Sequence, residues 1–273
     1  MENFCHLLIE NLEPGLSDLL IAQLSVLGFE GFEEAENSLA AYIEESKLSK
    51  REVTELMKEY NLPYSIESIP PTNWNQIWEE SFQPVCIGNF VAVRANFHPP
   101  FENIEHEIVI TPKMSFGTGH HATTYLMLEA MRSIDFSNKA VLDFGTGTGI
   151  LAILAEKLGA ASITAIDIDE WSIDNATENS RENGCRKIKL IQQDHPKTGE
   201  GKFDVILANI NKNIIINNLK ELISQLNTGG ILLLSGLLVT DEKDILEETK
   251  KYPLMHEATF TKEKWILMQY VKD

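Results

Sequence analysis

The residues with the most chemical potential in this chain are a run of alternate glycines, an acid and an amide: Gly145-Thr146-Gly147-Thr148-Gly149, Asp167 and Asn209. The glycines follow the apolar run Ala140–Phe144 and precede Ile150–Ala155. Strand, glycine turn and helix make the first unit of a doubly wound α/β domain. Glycine keeps such a turn tight and lets a ligand approach the backbone. Asp167 closes the next apolar run, 22 residues after Gly145, where such folds set an acid against a ribose. The spacing Gly-x-Gly-x-Gly departs from the dinucleotide fingerprint Gly-x-Gly-x-x-Gly, because residue 150 is Ile. A nucleoside ligand without a pyrophosphate suits that spacing. S-adenosylmethionine is one, so the turn reads as the nucleoside site of a methyltransferase.

Asn209 ends the apolar run Phe203–Ala208. Ligands of open α/β sheets bind beyond such strand ends. An amide oxygen there can accept a hydrogen bond from an amine and aim the nitrogen lone pair at a methyl group. The alternative is an asparagine that caps the next helix. The continuation Asn209-Ile210-Asn211 lacks the Pro-Pro-aromatic sequence of many nucleic-acid and glutamine amino-methyltransferases, which weighs against those classes. Ser115–Thr124 holds Gly117 and Gly119, then Thr123 and Thr124, whose hydroxyls fall where a helix to Arg132 begins. This stretch reads either as a lid and wall over the methionine end of the cofactor or as a connecting loop with capping threonines. The adjacent His120 and His121 have no third ligand nearby in sequence, and a zinc site is rejected. Asp194 follows the strand pattern Ile188–Gln192. It is either a partner for an adenine amino group or a solvated loop acid.

The elements that position these groups follow from the periodicity. Strand patterns at 140–144, 162–168, 188–192, 203–208 and 230–235 alternate with helix patterns at 150–158, 170–183, 213–226 and 241–251, and a closing hairpin pairs His256–Phe260 with Trp265–Val271. Seven strands with a final antiparallel pair form a class I methyltransferase domain. Strand patterns at 85–87, 90–93 and 108–111 precede it. Residues 1–70 read β-α-β-β-α-β, with strands at 1–10, Phe29–Glu34, Leu39–Glu44 and Tyr64–Ile69. The second helix opens on the capping box Ser49-Lys50-Arg51-Glu52. That order predicts a small α+β ferredoxin-like domain suited to docking, since it carries no glycine-rich loop and no catalytic cluster. Pro70-Pro71 marks its end. Within a linker at 71–84, Asn73–Phe82 reads as a short helix with Trp74 and Trp78 one turn apart. The domain limits are thus 1–70, 71–84 and 85–273.

Bulk composition narrows the function classes. The chain has 273 residues, 43% of them hydrophobic, enough for two folded domains. Cys5, Cys86 and Cys185 are far apart, which fits reduced thiols rather than a disulfide or zinc framework. No signal-peptide pattern opens the chain, and the apolar run at Ile231–Val239 is too short to span a bilayer. A cytoplasmic protein is expected. The net charge is −18, and residues 1–70 carry 14 acids against four bases. Such a charge argues against unaided nucleic-acid binding. It favours a basic protein partner or serves solubility alone.

Taken together, several segments resemble one family. They are Phe116-Gly117-Thr118-Gly119-His120, Thr123-Thr124, Val141–Gly149, Asp167-Ile168-Asp169, Ala208-Asn209-Ile210 and the linker Asn73–Glu79. The combination is similar to the bacterial ribosomal protein L11 methyltransferases and covers nearly the whole chain. The resemblance implies S-adenosylmethionine-dependent N-methylation of lysine ε-amines and of the N-terminal α-amine of that ribosomal protein. It also implies that the first domain recognises the substrate. By position in the motifs, Thr124, Gly145, Asp167 and Asn209 would contact the cofactor, with Phe116, Thr123 and Gly147 as further candidates and Asn209 as the catalytic residue. A monomer with no metal, no membrane and no direct nucleic-acid contact is expected. The rival readings are a methyltransferase for another protein, an RNA or a small amine, a nicotinamide oxidoreductase, and a cofactor-binding regulator without catalysis. The segment after Asn209, with Asn211 and Lys212, is more polar than in many family members.

Overall fold

Cys5, Leu7 and Ile9 alternate along the first strand, and all three are buried. That alternation is the signature of a sheet with one face packed on a core. The computed structural model describes residues 4–12, 16–35, 37–69, 83–111, 121–199 and 201–273. The chain divides into two compact units, Met1–Ser81 and Phe82–Asp273.

In the first unit β1 (Phe4–Glu10), α1 (Ser17–Val26), β2 (Gly31–Ala35), β3 (Ser38–Glu44), α2 (Lys50–Glu59) and β4 (Tyr64–Ile69) follow in order. The sheet runs β2-β3-β1-β4, with every neighbouring pair antiparallel. Leu39, Ala41 and Ile43 of β3 share the core with Leu20 and Leu24 of α1 and Val53 and Met57 of α2. Ser49 caps α2 by accepting the Glu52 backbone N–H at 3.5 Å. The strand expected from Phe29 begins only at Gly31. Phe29 instead donates its N–H to Leu24 O and buries its ring, so it belongs to the exit of α1. The expected boundary at Pro70-Pro71 and the linker helix with Trp74 and Trp78 lie outside the described residues.

The second unit opens with β5 (Val85–Ile87), β6 (Val91–Ala95) and β7 (His106–Ile110), which form a three-stranded sheet in that order. Then come α3 (Ala122–Met131), β8 (Ala140–Phe144), α4 (Ile150–Lys157), β9 (Ser162–Asp167), α5 (Glu170–Glu182) and β10 (Ile188–Gln192). The chain continues through β11 (Phe203–Asn209), α6 (Lys212–Gln225), β12 (Leu226–Leu238), α7 (Glu242–Thr249), β13 (Leu254–Lys262) and β14 (Trp265–Lys272). Seven strands pair in the order β10-β9-β8-β11-β12-β14-β13. The β14 strand is antiparallel to both neighbours.

Both faces of this sheet are covered, so its central strands are mostly apolar. Neighbours Val141 and Leu142 turn to opposite faces. Val141 joins a core with Met127, Leu151 and Leu154, and Leu142 joins one with Leu219, Leu222 and Ile245. Burying each such side chain contributes about 1.5–3 kcal/mol. The strand expected over 230–235 is the 13-residue β12. Its ladder is interrupted at the start: Phe203 pairs with Leu226 and Val205 with Ile231, so Asn227–Gly230 bulge out between them, with Gly229 at φ +74°. The continuous pairing runs from Ile231, as the expected range implies. No described helix is long and apolar enough to cross a membrane.

Candidate functional site

Strand register brings the candidate residues to one line. Ile166 pairs with Phe144 and Phe144 pairs with Ala208, so Asp167, Gly145 and Asn209 occupy the next position on three adjacent strands. With strands spaced about 4.8 Å apart, the backbones of Asp167 and Asn209 are roughly 10 Å apart across the turn. A cavity of about 1130 Å³ opens at this edge. It is about the size of the larger small-molecule sites, roughly 300–1,000 Å³.

The glycine turn is held by its own backbone. Gly145 N and Thr146 N both donate to Ile166 O, at 2.8 and 2.9 Å, and Gly149 N donates to Thr146 O at 2.9 Å. Gly145 has φ +81°, and a Cβ there would overlap Ile210 Cγ2. Only glycine meets both conditions. Asp167 accepts Gly147 N at 2.8 Å on Oδ2 and Asp169 N at 3.1 Å on Oδ1. A carboxylate has about four acceptor sites, so two remain for hydroxyl donors in the cavity. Ile168 and Trp171 are 68% and 77% exposed and line the same end, with Gln193 and Asp194 after β10.

Beneath the turn, Asp143 is fully buried. Thr146 Oγ1 donates to its Oδ2 at 2.7 Å, and Oδ1 has no hydrogen-bond partner among the described residues. Burial pushes this carboxyl from its ordinary 3.8 up to about 7, against the lowering effect of the Thr146 bond.

At the other end Asn209 Nδ2 donates to Thr124 Oγ1 at 3.4 Å. Its Oδ1 is buried with no hydrogen-bond partner among the described residues. Buried amide oxygens are almost always paired, and this one belongs to a side chain that lines the cavity. Asn209 does not cap the following helix. The cap of α6 is Asn211, whose Oδ1 accepts Ile214 N at 3.1 Å. Lys212 is tied to Asp241 at 2.8 Å and Asp244 at 2.9 Å. Those two hydrogen bonds raise its pKa to about 12, so the polar character after Asn209 belongs largely to the start of α6.

Thr123 and Thr124 are fully buried in the first turn of α3. They are not its cap, contrary to the capping reading. The cap is His121, whose Nδ1 accepts Thr123 N at 3.4 Å and lies 2.7 Å from Thr123 Oγ1. The His121 ring also packs edge-on against Trp265, with centroids 4.6 Å apart. Phe116, His120 and the glycines of that loop lie outside the described residues. Sequence reasoning missed His121, Trp265, Ile210 and Gly236 as cavity-lining residues. Gly236 carried a usable signal, because a lone glycine inside an apolar strand run marks a close backbone approach. At φ +82°, a Cβ on Gly236 would overlap the Ile210 carbonyl. Among the described residues, no group of three or more His, Cys, Asp or Glu is arranged to hold a metal ion.

Known proteins share both the sequence and this architecture. Residues 13–273 match the family described as ribosomal protein L11 methyltransferase (PrmA). A curated ribosomal protein L11 methyltransferase of Porphyromonas gingivalis is 42% identical over 94% of this chain and 91% of its own. The protein of that name from Bacteroides fragilis is 37% identical over 94% of each chain. A crystal structure of the ribosomal protein L11 methylase from Lactobacillus delbrueckii subsp. bulgaricus superimposes with a TM-score of 0.65 at 29% identity, over 70% of this chain and 99% of that one.

Proposed function

The chain belongs to the ribosomal protein L11 methyltransferase family, and from that premise we propose that it transfers methyl groups from S-adenosylmethionine to amines of ribosomal protein L11. The acceptors are lysine ε-amines and the N-terminal α-amine. The observation that carries this reading is the buried Asn209 Oδ1 at the cavity edge, which has no partner among the described residues.

The residues suit the cofactor. Asp167 keeps acceptor sites for two ribose hydroxyls, and Gly145 and Gly147 leave the turn backbone open to close approach. Ile168 and Trp171 offer apolar surface to a base. When bound, S-adenosylmethionine supplies an electrophilic methyl group on a sulfonium.

The protein's part is to present a neutral amine in line. A free lysine has a pKa near 10.4, so roughly one in a thousand is neutral at pH 7.5. Entry into the partly apolar cavity favours that neutral form. Asn209 Oδ1 then accepts one amine N–H and points the nitrogen lone pair along the cleft. The Thr124 hydroxyl, bonded to Asn209 Nδ2, holds the amide in that orientation. Positioning of this kind is worth several kcal/mol. Trp265 and His121 line this end and exclude water from the amine. Release of the amine proton to water before attack needs no dedicated base in the chain.

We read residues 1–70 as a ferredoxin-like substrate-recognition domain, 71–84 as a linker and 85–273 as the methyltransferase domain. The antiparallel order β2-β3-β1-β4 and the acidity of the first 70 residues support that division. The enzyme acts as a cytoplasmic monomer in this reading. Mass spectrometry of purified L11 after incubation with the protein and S-adenosylmethionine tests the function. Mass gains in methyl steps are expected, and an unmodified L11 would sink the reading. A truncated chain beginning near Pro71 should keep its cofactor affinity but lose most methylation of intact L11, because docking raises the effective substrate concentration.

A further inference from the structure

Asn175 and Asn179 of helix α5 and Asn183 at its C-cap follow one another at four-residue steps. Asparagine is a poor residue for a helix interior, and burying its amide is costly unless it is hydrogen-bonded. Asn175 and Asn179 are fully buried all the same, and their bonds show why the arrangement holds. Asn183 Oδ1 accepts Val109 N at 2.9 Å and its Nδ2 donates to Val109 O at 2.6 Å. Two residues on, Asn179 Oδ1 accepts Thr111 N at 2.8 Å and Asn175 Nδ2 donates to Thr111 O at 3.3 Å. Side chains of a helix thus pair with alternate residues at the end of β7, as a neighbouring strand would.

The ladder does not stop at β7. Asn179 Nδ2 also donates to Thr148 O, inside the glycine turn, at 2.8 Å. The same nitrogen donates to Asn175 Oδ1 at 2.8 Å, which fixes the amide's orientation. One residue further along the turn, a Cβ on Gly149 would come within 3.1 Å of Ala176 Cβ. Helix α5 therefore grips the turn at residues 148 and 149, while Gly145, Thr146 and Gly147 line the cavity.

We propose that Asn179, oriented by Asn175, is a positioning residue for the cofactor: it fixes the back of the glycine turn so that the front keeps its binding shape. This rests on the reading of that turn as the S-adenosylmethionine site. Asn183 supplies the internal control, because it bonds β7 but not the turn. A purely structural staple would make the two asparagines equivalent.

The test measures affinity for S-adenosylhomocysteine by calorimetry, beside Tm, in the full chain. Asn179→Ala should weaken binding by about tenfold or more, since the buried Thr148 carbonyl in the turn loses the bond from Asn179. Asn183→Ala should lower Tm to a similar extent with affinity changed less than about twofold. In steady-state assays Asn179→Ala should raise the KM for S-adenosylmethionine with kcat largely kept at saturation. If Asn179→Ala does not fold, Asn175→Ala takes its place. It leaves the Thr111 and Thr148 bonds of Asn179 but removes the Asn175 oxygen that helps orient its amide, and about a threefold loss of affinity is expected. Unchanged affinity in whichever variant folds overturns the positioning role, while the wild-type protein still binds the probe. Failure of the wild-type protein to bind S-adenosylhomocysteine overturns the cofactor reading and this inference with it.

Discussion

The two ends of the cavity are built on opposite plans. At the glycine turn, the backbone N–H groups of Gly145, Thr146 and Gly149 already have partners, and both oxygens of Asp167 accept backbone bonds. At the Asn209 end, Oδ1 has none among the described residues, and the amide donates a 3.4 Å bond to Thr124. The first end is shaped before any ligand arrives. The second keeps one strong acceptor unspent, and satisfying it is worth about 1–3 kcal/mol. On the proposed function, binding and reaction draw on different residues, and substitutions should separate them.

The largest separation is expected from Asn209→Ala. Loss of the amine acceptor should lower turnover by about 100-fold, in the range seen for removal of one preorganised polar group. Affinity for S-adenosylhomocysteine should stay within about threefold. A variant whose affinity falls as steeply as its turnover would break the contrast between the two ends.

Asp167→Ala is the mirror experiment. Charge-assisted hydrogen bonds contribute about 1.5–3 kcal/mol each, so cofactor affinity should weaken by roughly 10- to 100-fold. Single-turnover rates at saturating cofactor should fall far less. Unchanged calorimetric affinity in a folded protein would remove Asp167 from the cofactor site.

Gly145→Ala tests where the two ends meet. The new Cβ must push Ile210 aside from a backbone at φ +81°, and Ile210 follows Asn209 directly. Strain of this kind costs about 1–3 kcal/mol. Cofactor affinity and turnover should both drop, each by roughly tenfold. Loss of only one of them would show that the ends are uncoupled at Ile210.

The smallest effect on the site itself lies beneath the glycine turn, where the change is in stability. The Asp143 carboxyl is raised from 3.8 to about 7 by burial. Its folded pKa exceeds the unfolded one, so the protein loses stability as pH rises from about 4 and has lost the full amount above about 7. Asp143→Asn removes that dependence. At ~1.4 kcal/mol per pH unit between the two values, less a weakened bond from Thr146, the net gain at pH 8 is about 2 kcal/mol. Thermal melts should show the variant ahead of the wild type by several degrees at pH 8, with the gap closing toward pH 4. A gap independent of pH would mean that Asp143 does not ionise in this range.

Much of the chain is legible from residue order. The glycine spacing, Asp167 at a strand end and the alternation of apolar runs locate the turn and the β-α order, because those signals are local and tied to backbone geometry. The α6 helix is expected over 213–226 and runs Lys212–Gln225. Legibility fails where a side chain's partner is distant in sequence. Nothing local distinguishes Asn209 from Asn211, yet the latter caps α6 while the former reaches Thr124, 85 residues away. Thr123 and Thr124 look like the cap of α3 because His121, which holds that place, is a less common capping residue. Asn175, Asn179 and Asn183 look like ordinary polar residues of an amphipathic helix.

By itself the sequence determined the α/β class, the position of the glycine turn, the acid beside it and, through the combination of motifs, the family. These depend on short-range steric rules and on apolar periodicity, which a linear reading captures. Tertiary structure alone decided which asparagine keeps a free acceptor, that His121 and Trp265 meet in one wall, and that an asparagine ladder grips the turn from behind. Each of these is a contact between strand ends or helix faces that only sheet register brings together. A hydrogen bond forms within about 3 Å, a distance that sequence separation does not predict.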